Sequence, residues 1–308
     1  MNETSPTSYR AGYIALIGRP NVGKSTLMNA LMGQKIAAVS PRPQTTRQRQ
    51  LGILTLPEAQ LIFMDTPGMH KPVHKLGEYM NQVAEDALKD ADVILWLVDA
   101  SVLPTPEDLR ISERLKSING LPAVLLGLNK IDLLNKDLLT ERTDQYQALY
   151  SFEQVIPFSA TRGDGRDELM QALISRLPVS EALFDPDQIT DLYEREIAAD
   201  LIREAALLHL RDEVPHAIAV RIDEYTERGE EGAYIHATLF VERESHKGIV
   251  IGKGGEMLKK IGSSARQEIE AMSGRRVFLE LKVKVNPNWR NKPDALRWLG
   301  YYRKKDGQ

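Results

Sequence analysis

Between residues 13 and about 177, short apolar runs alternate with amphipathic segments. The apolar runs predict strands at residues 13–17, 51–56, 61–64, 93–98, 123–128 and 155–158. Several runs are apolar on both faces, as expected for strands of a sheet that helices cover on both sides. Helical spacing of apolar positions predicts helices at 24–32, 76–89, 107–117 and 166–176. This alternation predicts an α/β domain with a mostly parallel six-stranded sheet.

The C-terminal part of the chain follows a different pattern. It predicts a helix at 193–210, strands at 217–223 and 234–242, a glycine-rich loop, a helix at 256–272 and a strand at 277–285. This order is typical of an α+β domain and does not continue the first sheet. A proline-marked stretch at 178–186 separates the two patterns. We therefore predict a first domain at 10–178, a linker at 179–190 and a second domain at 191–308.

Composition narrows the class of protein. The 308 residues suit two domains, and an apolar content of 42% with 27% charged residues is typical of a globular chain. The absence of cysteine excludes disulfides and cysteine zinc sites, and the polar first residues lack an apolar signal core. These features predict a cytoplasmic protein.

The net charge of −3 is unevenly distributed. Residues 245–308 contain 15 Lys and Arg against 6 Asp and Glu, a balance of +9, so the rest of the chain carries −12. A basic end on an acidic body indicates that only the second domain meets a polyanion. A solvated charged surface is the alternative.

A phosphate-binding pattern follows the first predicted strand. It consists of Gly18, Arg19, Pro20, Asn21, Val22, Gly23, Lys24 and Ser25, with Thr26 continuing into the first predicted helix. Its glycines let backbone amides wrap phosphates, and the start of a helix favours negative charge. We expect Lys24 to reach the β- and γ-phosphates and the Ser25 hydroxyl to bind Mg²⁺. The motif indicates a nucleotide without choosing the base.

A second motif, Asn129, Lys130, Ile131 and Asp132, indicates guanine. The Asp132 carboxylate can accept hydrogen bonds from the N1–H and the exocyclic amine of guanine, whereas adenine would leave it unpaired. The Lys130 stem can cover the face of the base. Ser159 and Ala160, after the last predicted strand, would bring a backbone amide to the guanine oxygen. The alternative, a surface loop, conflicts with the order of the two motifs.

Two further segments are expected to respond to the γ-phosphate. Asp65, Thr66, Pro67 and Gly68 follow the strand at 61–64, and we expect Asp65 to reach Mg²⁺ through water and the Gly68 amide to contact the phosphate. In the run Gln44-Thr45-Thr46-Arg47, one threonine is expected to close on Mg²⁺. Thr46 is preferred and Thr45 is the second choice, with an ordinary turn as the alternative. Lys24, Thr46, Asp65 and Gly68 form the predicted catalytic set.

The second domain contains a GxxG turn, Gly252-Lys253-Gly254-Gly255. Ile249 and Ile251 precede it, and the helix after it carries Lys259, Lys260 and Arg266. Such a turn at a helix start lets a nucleic-acid backbone approach main-chain amides, although any tight turn could share the pattern. Trp289 and Trp298, which lie among basic residues, could stack on bases or pack against a helix.

The motifs, in this order, resemble those of the TRAFAC GTPases, and the forms of Asn21, QTTR and DTPG resemble the Era branch. The flanks VIGKGG and LKKIG resemble a type II KH domain. A GTPase domain joined to a C-terminal KH domain is similar to the Era family of bacterial ribosome-assembly GTPases over residues 11–302. The resemblance implies GTP hydrolysis with Mg²⁺, binding of 16S rRNA near its 3′ end, action on the 30S subunit, a monomer and peripheral association with the inner face of the cell membrane.

Two positions bear on catalysis. Met69 stands where small signalling GTPases place a glutamine that orients the attacking water, and a thioether cannot do this. Hydrolysis is therefore expected to be slow without further help. Asn21 resembles the asparagine that helps some relatives bind an activating K⁺, while a loop-stabilising role is the alternative.

Two other functions fit parts of the sequence. A GTP-dependent tRNA-modification factor of the same branch would carry a C-terminal cysteine and an N-terminal folate-binding domain, and this chain has neither. The chain could also be an RNA-binding protein whose nucleotide is only a structural ligand, since Met69 cannot orient water for hydrolysis. The intact Lys24, Ser25 and Asp65 argue against this function. The resemblance favours the assembly switch.

Overall fold

The computed structural model of the chain describes residues 9–40, 42, 45–69, 71–227, 229 and 232–302. Gln44 of the predicted QTTR run and residues 303–308 of the predicted second domain lie outside this set. Within the described part of the chain, no helix combines the length and apolar character that crossing a membrane requires.

The chain divides into two compact units. The first takes its residues from 1–34, 46–70 and 80–191, and the second from 35–45, 71–79 and 192–308. The segments 35–45 and 71–79 therefore pack with the C-terminal part of the chain, which the sequence pattern did not indicate. The predicted boundaries at 178 and 191 stay a prediction.

The described residues of the N-terminal α/β part form six strands and five α-helices. The strands are β1 (Arg10–Ile17), β2 (Gln50–Thr55), β3 (Ala59–Asp65), β4 (Val93–Asp99), β5 (Ala123–Asn129) and β6 (Gln154–Pro157). The helices are α1 (Lys24–Met32), α2 (Lys75–Asp90), α3 (Pro106–Lys116), α4 (Lys136–Gln147) and α5 (Arg166–Ile174). The strand order is β2-β3-β1-β4-β5-β6, and every pair is parallel except β2–β3. The predicted six-stranded, mostly parallel sheet is confirmed.

The apolar runs explain why this sheet forms. Neighbouring residues of β4, such as Leu95 and Trp96, point to opposite faces and are both fully buried. Burying a side chain of this size contributes about 1.5–3 kcal/mol, so a run that is apolar throughout favours a covered central strand. The site residues sit where these strands end.

The C-terminal part is a three-stranded sheet with helices. Its elements are α6 (Glu194–His209), β7 (Ala219–Glu227), β8 (Ala233–Val241), α7 (Glu244–Ile251), α8 (Glu256–Ser273), β9 (Val277–Val285) and α9 (Pro293–Trp298). The order is β7-β8-β9, with β7–β8 antiparallel and β8–β9 parallel. Residues of α6, α7 and α8 share one apolar core with all three strands. This α-β-β-α-α-β order confirms the predicted α+β, type II KH arrangement.

Several elements differ from the predictions. Helix α4 was not predicted, because its sequence is polar and only Tyr146 is buried. Strand β7 begins at Ala219, after a short 3₁₀ turn at Pro215–Ala217. Trp289 is fully buried and its Nε1 donates to the Ala217 carbonyl at 2.9 Å, so the base-stacking hypothesis is wrong for this residue. Trp298 remains half exposed under the Arg221 guanidinium.

A substitution at Gly165, the residue before α5, can test how much close backbone packing contributes to the stability of the first unit. Gly165 has φ +70°, and an added Cβ would lie 2.2 Å from the Pro157 carbonyl oxygen. We expect Gly165→Ala to lower the free energy of unfolding by about 3 kcal/mol, because strain and backbone overlap add. Gly120→Ala is the control, since φ is +75° with open space around it, and should cost about 1 kcal/mol.

Urea unfolding of the full chain measures the free energy of unfolding of both variants. Bound GDP raises the urea midpoint of the unit that binds it, and this shift identifies the transition of the first unit. Equal losses in the two variants would show that the Pro157 contact does not constrain this turn.

Candidate nucleotide site and RNA-binding surface

The predicted nucleotide residues gather at one edge of the first sheet. Gly18 follows β1, Asp65 ends β3, Asn129 ends β5 and Ser159 lies just beyond β6. Asp99, which ends β4, joins them. Ligands of open α/β sheets bind outside the carboxyl ends of the strands, where strand order reverses, and β1 here lies between β3 and β4.

Two glycines shape the phosphate loop. Gly18 has φ +145° and Gly23 has φ +104°, values that other residues rarely adopt. A Cβ at Gly18 would lie 2.3 Å from the Leu97 carbonyl oxygen, and one at Gly23 would lie 2.3 Å from Asn129 Nδ2. The loop can therefore follow its path only with glycine at both positions. Asn21, exposed with φ +67°, and the buried Val22 lie between them.

Lys24 is folded back onto this loop. Its Nζ donates to the carbonyl oxygens of Gly18 and Arg19 at 3.1 and 3.2 Å, and the residue is only 7% exposed. Burial lowers the pKa of the ammonium, although the Asp65 carboxylate opposes this. A buried ammonium held by two neutral carbonyls is a strong partner for an arriving anion.

Ser25, Thr46 and Asp65 form a hydroxyl–carboxylate cluster. Ser25 Oγ and Thr46 Oγ1 donate to the same oxygen, Asp65 Oδ2, at 2.7 and 3.0 Å, and the two hydroxyls are 3.1 Å apart. Asp65 is fully buried. Three residues distant in sequence, Ser25 from α1, Thr46 from a loop and Asp65 from β3, therefore meet at one point.

The second carboxylate oxygen of Asp65 is available to a cation. Asp65 Oδ1 is buried and forms no well-aligned hydrogen bond with any described residue. Burial raises the pKa of Asp65, while Lys24, the two hydroxyls and the Thr66 amide oppose the rise. Two hydroxyls and a carboxylate are the hard oxygen donors that Mg²⁺ takes. The residues present therefore fit the predicted metal.

Thr45 and Thr46 differ in their contacts. Thr46 Oγ1 reaches Ser25 and Asp65, whereas Thr45 Oγ1 donates to the Arg42 carbonyl at 2.8 Å. The geometry thus favours the preferred candidate, Thr46, over the second choice.

The segment after β3 approaches the phosphate loop. Thr66 Oγ1 donates to the Leu16 carbonyl at 2.8 Å, and Pro67 is buried. A Cβ on Gly68 would lie 3.0 Å from atoms of Pro20, so the two loops pass closely here. Met69 is partly buried and packs against the apolar core of the first unit. Its thioether is thus part of the packing.

Where the base is predicted to bind, Asn129 forms hydrogen bonds with three loops. Its Nδ2 donates to the Val22 carbonyl at 2.8 Å, and its Oδ1 accepts from the amides of Lys130 at 2.8 Å and Ala160 at 3.0 Å. The pair Ser159 and Ala160 was predicted to bring one backbone amide to the guanine oxygen, and of the two the Ala160 amide donates to Asn129 in this structure. Asp132 Oδ1 accepts from Ser159 Oγ at 2.7 Å. That hydroxyl holds the carboxylate in place.

Asp99 and Asp108 are site residues that the motifs missed. Lys130 Nζ lies 2.6 Å from Asp99 Oδ2, and the Arg19 guanidinium lies 3.8 Å from Asp99 and 3.5 Å from Asp108. Although burial raises it, hydrogen bonds from Lys130 and Ser101 hold the pKa of Asp99 below its ordinary value. The side chain of Arg19 thus pairs with carboxylates. The position of Asp99, ending a buried central strand, could have indicated it.

The GxxG turn of the second unit is open. Gly252, Lys253, Gly254 and Gly255 connect α7 to α8, and all three glycines have positive φ. A Cβ on Gly252 would meet Met257, whereas a Cβ on Gly254 or Gly255 would lie more than 4 Å from every described residue beyond its chain neighbours. Lys253, Lys259, Lys260 and Arg266 are exposed, Ile249 is 49% exposed and Ile251 is half-buried. The predicted RNA-binding residues thus share an accessible surface.

A shallow groove extends this surface. It is lined by Glu256, Lys259, Lys260, Ser263, Ser264 and Gln267 of α8 and by His209 at the end of α6. The serines, the glutamine and the histidine were not predicted, because polar residues on an amphipathic helix carry no motif.

Comparisons with known proteins identify both parts. Residues 13–130 match the family described as 50S ribosome-binding GTPase, and residues 213–290 match the KH domain. The chain is 48% identical to the GTPase Era of Ruminiclostridium cellulolyticum, over 97% of this chain and 100% of the relative. It is 44% identical to the GTPase Era of Staphylococcus haemolyticus, over 97% and 100%.

Two solved structures share the fold over most of their length. One is Era in complex with MgGDPNP and nucleotides 1506–1542 of 16S ribosomal RNA, with a TM-score of 0.90 and 42% identity over 95% of this chain and 99% of that one. The other is a tyrosine-to-alanine variant of Aquifex aeolicus Era bound to GDP·AlF4⁻, with a TM-score of 0.89, 42% identity and the same coverage.

Asp132 provides the test of the base pocket. We expect Asp132→Asn to lower GTP affinity at least about 100-fold and to favour the xanthine nucleotide, because an amide can donate to the xanthine carbonyl but cannot accept both guanine protons. Competition binding with GTP and XTP measures the preference. Asp137→Asn, an equal change of charge in the exposed first turn of α4, is the control. A variant at Asp132 that still prefers GTP would contradict the assignment.

Proposed function

Because the chain belongs to the Era family of GTPases, we propose that it is a GTP-driven switch that binds 16S rRNA near its 3′ end and acts in assembly of the 30S subunit. The main support for the proposal is the hydrogen-bonded cluster of Ser25, Thr46 and Asp65, in a chain that also exposes the GxxG turn. The nucleotide site and the RNA surface are then the two ends of one switch.

The phosphate loop and Lys24 bind the triphosphate. Backbone amides at the start of α1 face the phosphates, and Lys24 exchanges its two carbonyl partners for phosphate oxygens. The negative charge of the nucleotide offsets the burial that lowers the pKa of Lys24. Asn129, Lys130 and Asp132 bind the base. The phosphate loop, Lys24 and the three base-binding residues together orient the γ-phosphate at the carboxyl edge of the sheet for attack by water.

Ser25, Thr46 and Asp65 hold Mg²⁺ in the proposed state. A bound Mg²⁺ would supply positive charge against the phosphate oxygens. In this assignment, the hydroxyls of Ser25 and Thr46 would turn from Asp65 toward the ion, and Asp65 would hold it through water. Loss of the γ-phosphate frees Thr46 and the Gly68 amide, and the two segments relax. This coupling makes the site a switch.

Nothing at position 69 orients the attacking water, because the Met69 thioether packs against the core. The proposed enzyme is therefore slow by itself and depends on added charge or positioning. K⁺ bound near the exposed Asn21 is the proposed source of that charge. RNA or another part of the ribosome is a second source, which the first experiment below separates.

The exposed GxxG turn is the proposed contact with the RNA backbone. Lys253, Lys259, Lys260 and Arg266 supply charge, and Ile249 and Ile251 supply apolar contact to bases. The structure of a 42% identical Era with 16S rRNA nucleotides supports the RNA target. A monomer with peripheral membrane association follows from the family resemblance, and a cytoplasmic location follows from composition as well; these properties complete the proposal.

GTP turnover of the purified chain tests the whole proposal. We expect slow hydrolysis in Na⁺ buffer, with roughly tenfold or greater stimulation by K⁺ or by an RNA copied from the 16S 3′ end. A scrambled RNA of equal length is the control. RNA binding without stimulation would place the accelerator elsewhere on the ribosome. Absence of turnover under every condition would favour a structural nucleotide and contradict the proposal.

Gly255 tests the RNA surface. We expect Gly255→Asp to weaken RNA binding about tenfold or more, because the new carboxylate repels phosphates at the turn. Gly274→Asp is the matched control: this glycine ends the same helix with φ +68° and equally open space, compared with +84° at Gly255. Filter binding and GTP titration measure both variants. Equal loss of RNA binding in the two, or loss of GTP affinity at Gly255, would contradict the assignment.

A further inference from the structure

Arg203 is a buried arginine of α6 for which neither the nucleotide motifs nor the RNA surface accounts. It is only 2% exposed. Its Nη2 donates to the backbone carbonyl of Thr45 and to Asp200 Oδ1, the latter at 2.8 Å. Burying a guanidinium is costly unless its charge and donors are matched. The Thr45 carbonyl is thus a specific partner of this side chain.

The same segment is held by two further cations. Arg42 donates through Nε to the Leu207 carbonyl at 2.7 Å and through Nη2 to the Leu210 carbonyl at 2.6 Å, at the C-terminal end of α6. That end of a helix carries unpaired carbonyls and partial negative charge, so a cation is stabilising there. Lys35 Nζ lies 2.8 Å from both Glu204 and Glu268. The described residues of 35–45 are therefore fastened to α6 and α8.

The Thr45 carbonyl is one peptide bond away from the metal ligand assigned above. A peptide unit is planar, so fixing the direction of the Thr45 carbonyl also fixes the Thr46 nitrogen and Cα. The Thr46 hydroxyl then reaches Asp65 Oδ2 at 3.0 Å and Ser25 Oγ at 3.1 Å. A displacement of the peptide by about 1 Å would break both contacts, since hydrogen bonds weaken steeply beyond their usual length.

We propose that Arg203 is a positioning residue for the GTPase reaction, which orients the Thr45–Thr46 peptide so that the Thr46 hydroxyl can close on Mg²⁺ and the γ-phosphate. This inference rests on the proposed role of Thr46. Arg203 itself touches neither nucleotide nor metal. A residue of the helix that opens the RNA-binding part thereby sets the affinity for the triphosphate.

The contact between Arg203 and Thr45 should in turn respond to the bound nucleotide. If the contact of Arg203 with Thr45 strengthens triphosphate binding, then triphosphate binding must strengthen that contact by the same factor. GDP, which does not engage Thr46, has no such effect. The segment 35–45 would then report the nucleotide state to α6 and α8 through Lys35, Arg42 and Arg203.

Nucleotide binding by the full chain tests the proposal without relying on turnover. Affinities for GDPNP and GDP are measured as a function of Mg²⁺ concentration, for the parent chain and for Arg203→Met, Arg203→Lys and Thr46→Ala. We expect Arg203→Met to weaken Mg²⁺-dependent GDPNP binding about tenfold and to leave GDP affinity within about twofold. Arg203→Lys should recover part of the loss, because one ammonium donor can still reach a carbonyl.

Two controls separate positioning from folding. Arg195 is on the same helix and donates to the Ile222 carbonyl at 2.7 Å, so Arg195→Met removes an arginine–carbonyl bond without touching the 35–45 segment. We expect it to change neither affinity. In the double variant Arg203→Met with Thr46→Ala, the Arg203 change should add little, since both act through one hydroxyl.

The outcomes distinguish this inference from the function on which it rests. A GDPNP-specific loss in Thr46→Ala but not in Arg203→Met would overturn the positioning role alone. No loss in Thr46→Ala would instead overturn the assignment of Thr46. Equal loss of GDP and GDPNP binding in Arg203→Met, with Arg203→Lys no better, would reduce Arg203 to a structural residue and also contradict the inference.

Discussion

The buried carboxylate of Asp65 is the constraint on which the nucleotide site depends. It lies at the end of β3, where one oxygen accepts from both Ser25 and Thr46 and the other meets no well-aligned donor in the described chain. Burial raises its pKa, so an ionised Asp65 costs free energy that nearby positive charge must offset. Lys24 supplies part of that charge. A bound Mg²⁺ would supply the rest, which explains why a carboxylate is buried here despite its cost in free energy.

Much of this arrangement could be predicted from the sequence. Strands β4 and β5 have no polar side chain before their last residue, so their burial could be predicted from the sequence pattern. The motifs that follow β1 and that begin at the ends of β3 and β5 located Lys24, Asp65 and Asn129. The preference for Thr46 over Thr45 also agrees with the contacts. Local residue patterns contain this information because parallel strands bring their carboxyl ends to one edge.

What could not be predicted depends on contacts distant in sequence. The position of Asp99 at the end of β4 is readable from the sequence, but its ion pair with Lys130 depends on the pairing of β4 with β5. The sequence left open whether Trp289 stacks on bases or packs inside the protein, and the structure buries it, with its Nε1 donating to the Ala217 carbonyl. Helix α4 is too polar for its periodicity to stand out. The described residues of 35–45 belong to the C-terminal unit through contacts of Lys35, Arg42 and Arg203, and Arg203 is 158 positions beyond its partner Thr45.

The central claim is that the cluster at Asp65 is a magnesium site in which Thr46 takes part. A crystal structure of the chain with Mg²⁺ and GDPNP tests this most directly. We expect Ser25 Oγ and Thr46 Oγ1 both to lie about 2.1 Å from the ion, with Asp65 bound to its water shell. Thr45 at the ion, or Thr46 still bonded to Asp65 with the ion elsewhere, would contradict it.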